Sequence, residues 1–189
     1  MQAFYALIDR LDRSQGEDRT ALEAMLWDTF GINACVLAMD MSGFSRTVRA
    51  EGIVGYLARI RRMQQVSTPI VVAAGGEVVK YTADNLMAVF ETAAQALLAA
   101  QEIRSACLSM REPLDVSIGL ACGRFLYVPH TDCFGDPVNV AFKLAEDIAG
   151  NGELLATDGV LAELAYELEE ADWQHSDMSG LRLRFAPLR

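Results

Sequence analysis

Apolar residues return at two different periods along this chain, and each change of period marks an element. Phe4, Leu7, Ile8 and Leu11 recur at helical spacing over residues 2–12. A polar break follows, and residues 20–29 predict a second helix capped near Thr20. Residues 34–40 form a short apolar run that predicts a strand, closed by Asp40 and a Gly-Phe-Ser turn. Residues 51–66 predict a helix with Ile53, Val54, Leu57, Ile60 and Met63 on its buried face. Pro69 then interrupts the pattern or restarts a helix, because proline is tolerated in a first turn. The segments "GEVVKYTAD" and "NLMAVF" predict two strands joined near Asp84. Residues 92–110 predict a helix, 114–128 a long strand or strand pair, 136–148 a helix and 152–157 a strand. A helix over 158–170 and a closing strand over 181–188 complete the pattern.

This order predicts an α+β fold, a ferredoxin-like βαββαβ core with a C-terminal αβ extension. Residues 1–33 form an N-terminal helical arm and residues 34–189 a single domain. With 189 residues, 52% of them hydrophobic, the chain suits one packed core. The formal net charge of −10 repels nucleic-acid backbones and anionic membrane surfaces. Neither partner is expected, whereas a nucleotide escorted by a metal ion stays compatible. No basic, apolar leader opens the chain, and no apolar run approaches the ~20 residues that span a bilayer. Cys35, Cys107, Cys122 and Cys133 lie far apart, without C-x-x-C, and His130 and His175 stand alone. The expectation is a reduced, cytoplasmic protein whose cysteines fill the core, without disulfides or a zinc site.

Two carboxylates carry the candidate chemistry. In a ferredoxin-like core the end of the first strand and the tip of the next hairpin share one sheet edge, which brings Asp40 and Asp84 together. Paired carboxylates repel unless a cation joins them, and hard oxygen donors suit Mg²⁺ or Mn²⁺. The turn after Asp40 can offer backbone N–H groups to a phosphate. Each aspartate taken alone also fits an ordinary turn that bonds its own backbone.

Three segments, "VLAMDMSGFS", "GGEVVKYTADNLMAVF" and "DCFGDPVNVAFKLAEDIAGNGELLAT", resemble in order and spacing the catalytic domain of class III nucleotidyl cyclases. The resemblance covers roughly residues 34–188. It implies a homodimer with shared sites that converts ATP to 3′,5′-cyclic AMP and pyrophosphate with two Mg²⁺ or Mn²⁺ ions. Asp40 and Asp84 fall on the metal ligands, and Gly43, Phe44 and Ser45 on the triphosphate turn. Lys80 and Asp132 fall on the pair that reads adenine, and Asn139 on the ribose contact. Lys143 stands where the family usually has an arginine for the α-phosphate, and Ala83 where it prefers glycine. Lysine keeps the charge but loses the bidentate fork. Arg182 or Arg184 offers a further phosphate contact. A cyclase fold without turnover, serving as a nucleotide-binding or regulatory module, is the alternative that Lys143 keeps open. A diguanylate cyclase fits less well, because Gly75-Gly76-Glu77 lacks the rest of that family's signature. Lys80 and Asp132 also fit solvated surface positions, and Asn139 and Lys143 an ordinary exposed helix face.

Overall fold

A computed structural model of the chain describes residues 1–166, 169, 173–178 and 181–188, without the side chains of residues 44–46, 178, 181 and 182. At its centre is β1 (Gly31–Met41), whose residues 34–39 are all buried. Such a run has no polar alternation because both faces of the strand are covered. On one side β1 pairs antiparallel with β3 (Asn85–Phe90), which pairs with β2 (Glu77–Thr82). On the other it pairs antiparallel with β4 (Val116–Val128), which carries β5 (Asp132–Phe134) at its far end. The order β2-β3-β1-β4 is that of the expected ferredoxin-like core. The extension adds β6 (Leu154–Thr157), parallel to β4, then β8 (Leu181–Leu188) and the edge strand β7 (Gln174–Met178).

Helices cover both faces. On one lie α3 (Phe44–Ala73), α4 (Ala93–Leu108) and the short α6 (Asp158–Glu163), packed on Leu37, Met39, Leu86, Ile118 and Leu120. On the other lies α5 (Asp136–Lys143) with a π-helical turn (Leu144–Ile148), packed on Val36, Ala38, Met87 and Leu155. α5 approaches β4 so closely that a Cβ at Gly119 would collide with the Ala141 carbonyl, so glycine is required there. α1 (Gln2–Asp12) and α2 (Gly16–Phe30) pack through Phe4 and Leu26 on Val128, and the Phe4 ring stacks on Phe134 with centroids 5.3 Å apart. A capping box between Thr92 and Gln95 fixes the start of α4.

The structure corrects several boundaries. α2 begins at Gly16 rather than near Thr20, because Glu17 and Asp18 suit the positive end of the helix dipole. α3 runs from Phe44 through Pro69 to Ala73, broken only where Gly52 takes φ 76°. Its buried side is Tyr56, Ile60, Met63, Ser67 and Val71, whereas Ile53, Val54 and Leu57 face outward, 52%, 77% and 54% exposed. The helix expected over 158–170 stops at Glu163. Ala165 turns left-handed at φ 50°, and the N–H groups of Ala165 and Tyr166 close onto Ala162 and Leu161 in a Schellman pattern. Residues 167, 168 and 170 of that expectation lie outside the described residues. β7 was not foreseen, since "QHSDM" has no apolar alternation.

The cysteines are not all separate. Cys35 and Cys122 stand directly opposite each other on β1 and β4 and form a disulfide, 87 residues apart in sequence. Sequence spacing cannot reveal this pair, because only the β1–β4 register creates it. No described helix is long and apolar enough to cross a membrane.

Candidate active site

Asp40 is the penultimate residue of β1, and Asp84 sits at the tip of the β2–β3 hairpin. Because Met39 pairs with Leu86 and Thr82 with Asn85, the hairpin tip falls beside Asp40. Burial, then the charge of Asp84, then that of Glu146, push the Asp40 carboxyl up to about 6; a backbone N–H bond from Met41 opposes them. A carboxyl is raised in this way when burial disfavours its charge and neighbouring carboxylates add to the penalty. The sequence expectation that the two aspartates share an edge therefore holds in the geometry.

Ala83, beside Asp84, takes φ 51°. That left-handed conformation costs a non-glycine residue about 1 kcal/mol, which accounts physically for a glycine preference at this position. Tyr56, 1% exposed, donates its hydroxyl to Asp84 Oδ2 at 2.7 Å. Its own pKa is held well above the tyrosine range by burial and by the bond and charge of Asp84. Asn85 Nδ2 donates to the Glu146 carboxylate and ties the hairpin to the π-helical turn. Burial and the charges of Asp147 and Asp84 raise the Glu146 carboxyl, against the bond from Asn85. Sequence reasoning missed Tyr56 and Glu146. The available signals were a tyrosine inside the α3 pattern and the carboxylate pair of "LAED".

Gly43 turns at φ 86° from β1 into α3, a conformation that glycine adopts without strain. The chain enters the helix at residue 44, where the first backbone N–H groups have no acceptor within the helix. This helix end lies next to Asp40 in the chain. The side chains of Phe44 and Ser45 lie outside the described residues.

A second group gathers around Lys80 on β2. The β4–β5 arm folds over the α5 face, with Cys133 and Phe125 in one cluster with Val79 and Met87. This brings Asp132 to Lys80, Nζ to Oδ2 at 2.6 Å, while Asp132 Oδ1 accepts the Cys133 N–H at 2.9 Å. Nearby, Tyr127 donates to Glu77, and His130 lies 3.0 Å from the same carboxylate. The third group is Asn139 and Lys143, one turn apart on α5, Asn139 exposed and Lys143 half-buried. Among the described residues no hydrogen bond or ion pair joins these three groups to one another. Both histidines are on the surface, His175 in β7. The Arg184 guanidinium lies 4.1 Å over the Trp173 ring, and the side chain of Arg182 lies outside the described residues.

Comparison with known proteins gives the same direction. No family model matches the chain. It is 31% identical over 132 residues to the Rhizobium meliloti protein named "Putative adenylate cyclase 3", a match of 67% of this chain and 22% of that protein. The chain spans less than half the length of the curated relatives it matches. Among solved structures it resembles an adenylate/guanylate cyclase/hydrolase from Silicibacter pomeroyi, with a TM-score of 0.66 and 28% identity over 82% of this chain and 95% of that one. The guanylate cyclase domain of RhGC from Catenaria anguillulae, solved with GTP, has a TM-score of 0.67 at 17% identity, covering 82% and 94%. That likeness is one of fold.

Proposed function

From the class III nucleotidyl cyclase catalytic-domain fold that this chain has, we propose that it is an adenylate cyclase converting ATP to 3′,5′-cyclic AMP and pyrophosphate. The observation that carries this reading is the meeting of Asp40 and Asp84 at one sheet edge, where burial and then the charge of Asp84 lift Asp40 to about 6. The donors there are carboxylate oxygens, which fit Mg²⁺ or Mn²⁺ and not a thiophilic ion. Asp40 and Asp84 would hold two such ions, whose chemistry there would be to acidify the ribose 3′-hydroxyl and to offset charge on the leaving pyrophosphate.

The chain's own groups do the rest. The N–H groups after Gly43 receive phosphate oxygens, assisted by the helix dipole. Lys80 donates to an adenine ring nitrogen and Asp132 accepts from the exocyclic amine. Guanine presents the opposite polarity at those atoms, so its entry leaves both charged groups unpaired. In the free chain Lys80 and Asp132 satisfy each other at 2.6 Å, so neither charge is bare before ATP enters. Asn139 orients the ribose, and Lys143 stabilises charge developing on the α-phosphate.

The sites are shared between two copies, the aspartates from one and the remaining groups from the other, as the resemblance to the family implies. A symmetric homodimer then has two equal sites. Ile53, Val54 and Leu57, exposed on α3, provide apolar surface whose burial works against the net charge of −10. Lys143, in place of the family's arginine, favours one other reading, a nucleotide-binding module without turnover.

The test is purified protein with ATP or GTP and Mg²⁺ or Mn²⁺, analysed for cyclic nucleotide and pyrophosphate, beside Asp84→Ala. Cyclic AMP from the wild type and none from the variant is the expected result. ATP binding without product supports the module, and undiminished turnover in Asp84→Ala removes the metal assignment.

A further inference from the structure

We propose that Cys35, Cys122 and Glu163 form, in the reduced protein, a binding site for a thiophilic divalent cation of the Zn²⁺ class. The two cysteines are directly opposite in the β1–β4 register with Cα atoms 4.0 Å apart, so both sulfurs leave the sheet on the same side. Glu163, the last residue of α6, brings Oε2 to 3.9 Å from Cys35 Sγ. Two ligands of one tetrahedral zinc, sulfur at ~2.3 Å and oxygen at ~2.0 Å, lie about 3.5 Å apart. The sulfur–carboxylate spacing is therefore within a small side-chain adjustment of a shared ion. One ligand atom from each of the three residues lies within 4.8 Å of the others.

Two more features support the site. Glu163 is held from behind, its Oε1 accepting the Ala93 N–H at 2.8 Å at the start of α4. Outer contacts of this kind orient metal ligands. Beside the cluster opens a cavity of about 300 Å³ lined by Cys122, Glu163, Glu91, Asn33, Gly123 and Gly159. It gives an entry path and room for water as a fourth ligand. Cys35 is in the cluster on the α3/α4 face of the sheet, while Asp40, by alternation along β1, shares the opposite face with Val36 and Ala38. The two sites are separate, and donor softness divides ions between them, thiolate for Zn²⁺ and oxygen for Mg²⁺.

The disulfide makes the site conditional. A phosphine reductant cleaves the S–S bond, takes the oxygen of one water as phosphine oxide and leaves two thiols carrying the protons. Metal binding then displaces both thiol protons, so affinity rises with pH. Oxidation to the disulfide withdraws both sulfur ligands.

The test uses the full chain, reduced with phosphine and desalted anaerobically, with millimolar Mg²⁺ present throughout to saturate carboxylate sites. Zn²⁺ is titrated against a chromophoric chelator, and Co²⁺ reports sulfur ligation through its thiolate charge-transfer absorption. The expected result is one equivalent bound with that absorption, both lost in Cys122→Ser and in the oxidised protein. Glu163→Gln should weaken binding about 10-fold, as loss of a ligand or its orientation does. Cys122 is half-buried and serine conservative, and circular dichroism checks that the variant is folded. Cys35, Cys107 and Cys133 remain in it, so undiminished absorption in folded Cys122→Ser shows that Cys122 is not a ligand and overturns the proposal. Absence of the absorption in the reduced wild type also overturns it.

Discussion

Asp40→Asn should make the metal-free protein more stable while removing its response to metal. The Asp40 carboxyl rises from an ordinary 3.8 to about 6 in the fold, first through burial and then through Asp84 and Glu146. A group whose folded pKa is raised favours the fold when protonated. The metal-free fold therefore loses stability as pH climbs from about 4 to about 6, and the whole penalty persists above that. At 1.36 kcal/mol per pH unit the rise corresponds to about 3 kcal/mol. Asp40 is only half-buried, and solvent screening reduces this to ~1–2 kcal/mol. Asparagine keeps the shape and drops the charge. At pH 8 in chelator the variant should melt about 4 °C above the wild type, at roughly 2–4 °C per kcal/mol for a chain of this size. Near pH 4 the two should coincide. Excess Mg²⁺ should raise the wild-type melting point, since a ligand of the folded state stabilises it by mass action, and should leave the variant unmoved. Thermal unfolding followed by circular dichroism from pH 4 to 8, with chelator or Mg²⁺, makes the comparison. Titrating groups remote from Asp40 cancel in the difference between the two proteins, while Asp84 and Glu146, coupled to Asp40, are relieved with it. A variant no more stable at pH 8, with an unchanged difference across pH 4–6, would refute the reasoning.

Four further outcomes rest on the site residues. Tyr56→Phe deletes the hydroxyl that donates to Asp84 at 2.7 Å and should weaken the Mg²⁺ dependence of turnover about 10-fold; an unchanged Mg²⁺ titration removes Tyr56 as a positioning residue. The wild type should prefer ATP to GTP, and the double change Lys80→Glu with Asp132→Cys should weaken or reverse that preference in competitive turnover; a wild type that prefers GTP refutes the base assignment. Lys143→Ala should lower kcat ~10²-fold with little change in KM, and Lys143→Arg should raise it. Mixing Lys143→Ala with Asp40→Ala chains should restore about a quarter of wild-type activity, since half the dimers then hold one intact site of two; exchange of subunits without recovery refutes the shared site.

Strand order and strand polarity were legible because β1 is buried on both faces and the β2–β3 hairpin is short. Those two facts place Asp40 beside Asp84 with no knowledge of side-chain contacts. The buried side of α3 was legible only in part. Ile60 and Met63 of the expected face are buried, whereas Ile53, Val54 and Leu57 are exposed. The fold instead buries Tyr56 and Ser67 beside them. Polar groups enter a core when a partner meets them. Tyr56 finds Asp84, while Ser67 bonds the Met63 carbonyl at 2.8 Å and the Tyr81 hydroxyl at 2.9 Å. Two of these partners, Asp84 and Tyr81, belong to the β2–β3 hairpin, outside any window of helical periodicity. The Cys35–Cys122 pair was hidden for the same reason, since it exists only once β1 and β4 are in register.

Glu146 shows the limit most sharply. Read as one α-helix over 136–148, the chain would align Asn139, Lys143 and Glu146 on a single face, at i, i+4 and i+7. The helix instead widens after Lys143, and the Ala149 N–H bonds the Leu144 carbonyl five residues back at 2.8 Å. A π-helical turn winds more residues per turn, so side chains within it, Glu146 among them, drift off the face shared by those before it. Glu146 accordingly engages Asn85 at the hairpin, and its charge reaches Asp40 and Asp84. Glu146 thus bonds the hairpin residue next to Asp84 while its charge adds to the repulsion at Asp40. Neutralising Glu146 should therefore relieve part of the burden that Asp40→Asn removes, in the same pH window. Glu146→Gln, which keeps the carbonyl acceptor for Asn85, should lower the Asp40 pKa toward the ordinary carboxylate range. Carbon-13 titration of the Asp40 carboxyl reads this directly, and a midpoint that stays near 6 would show that burial and Asp84 alone account for it.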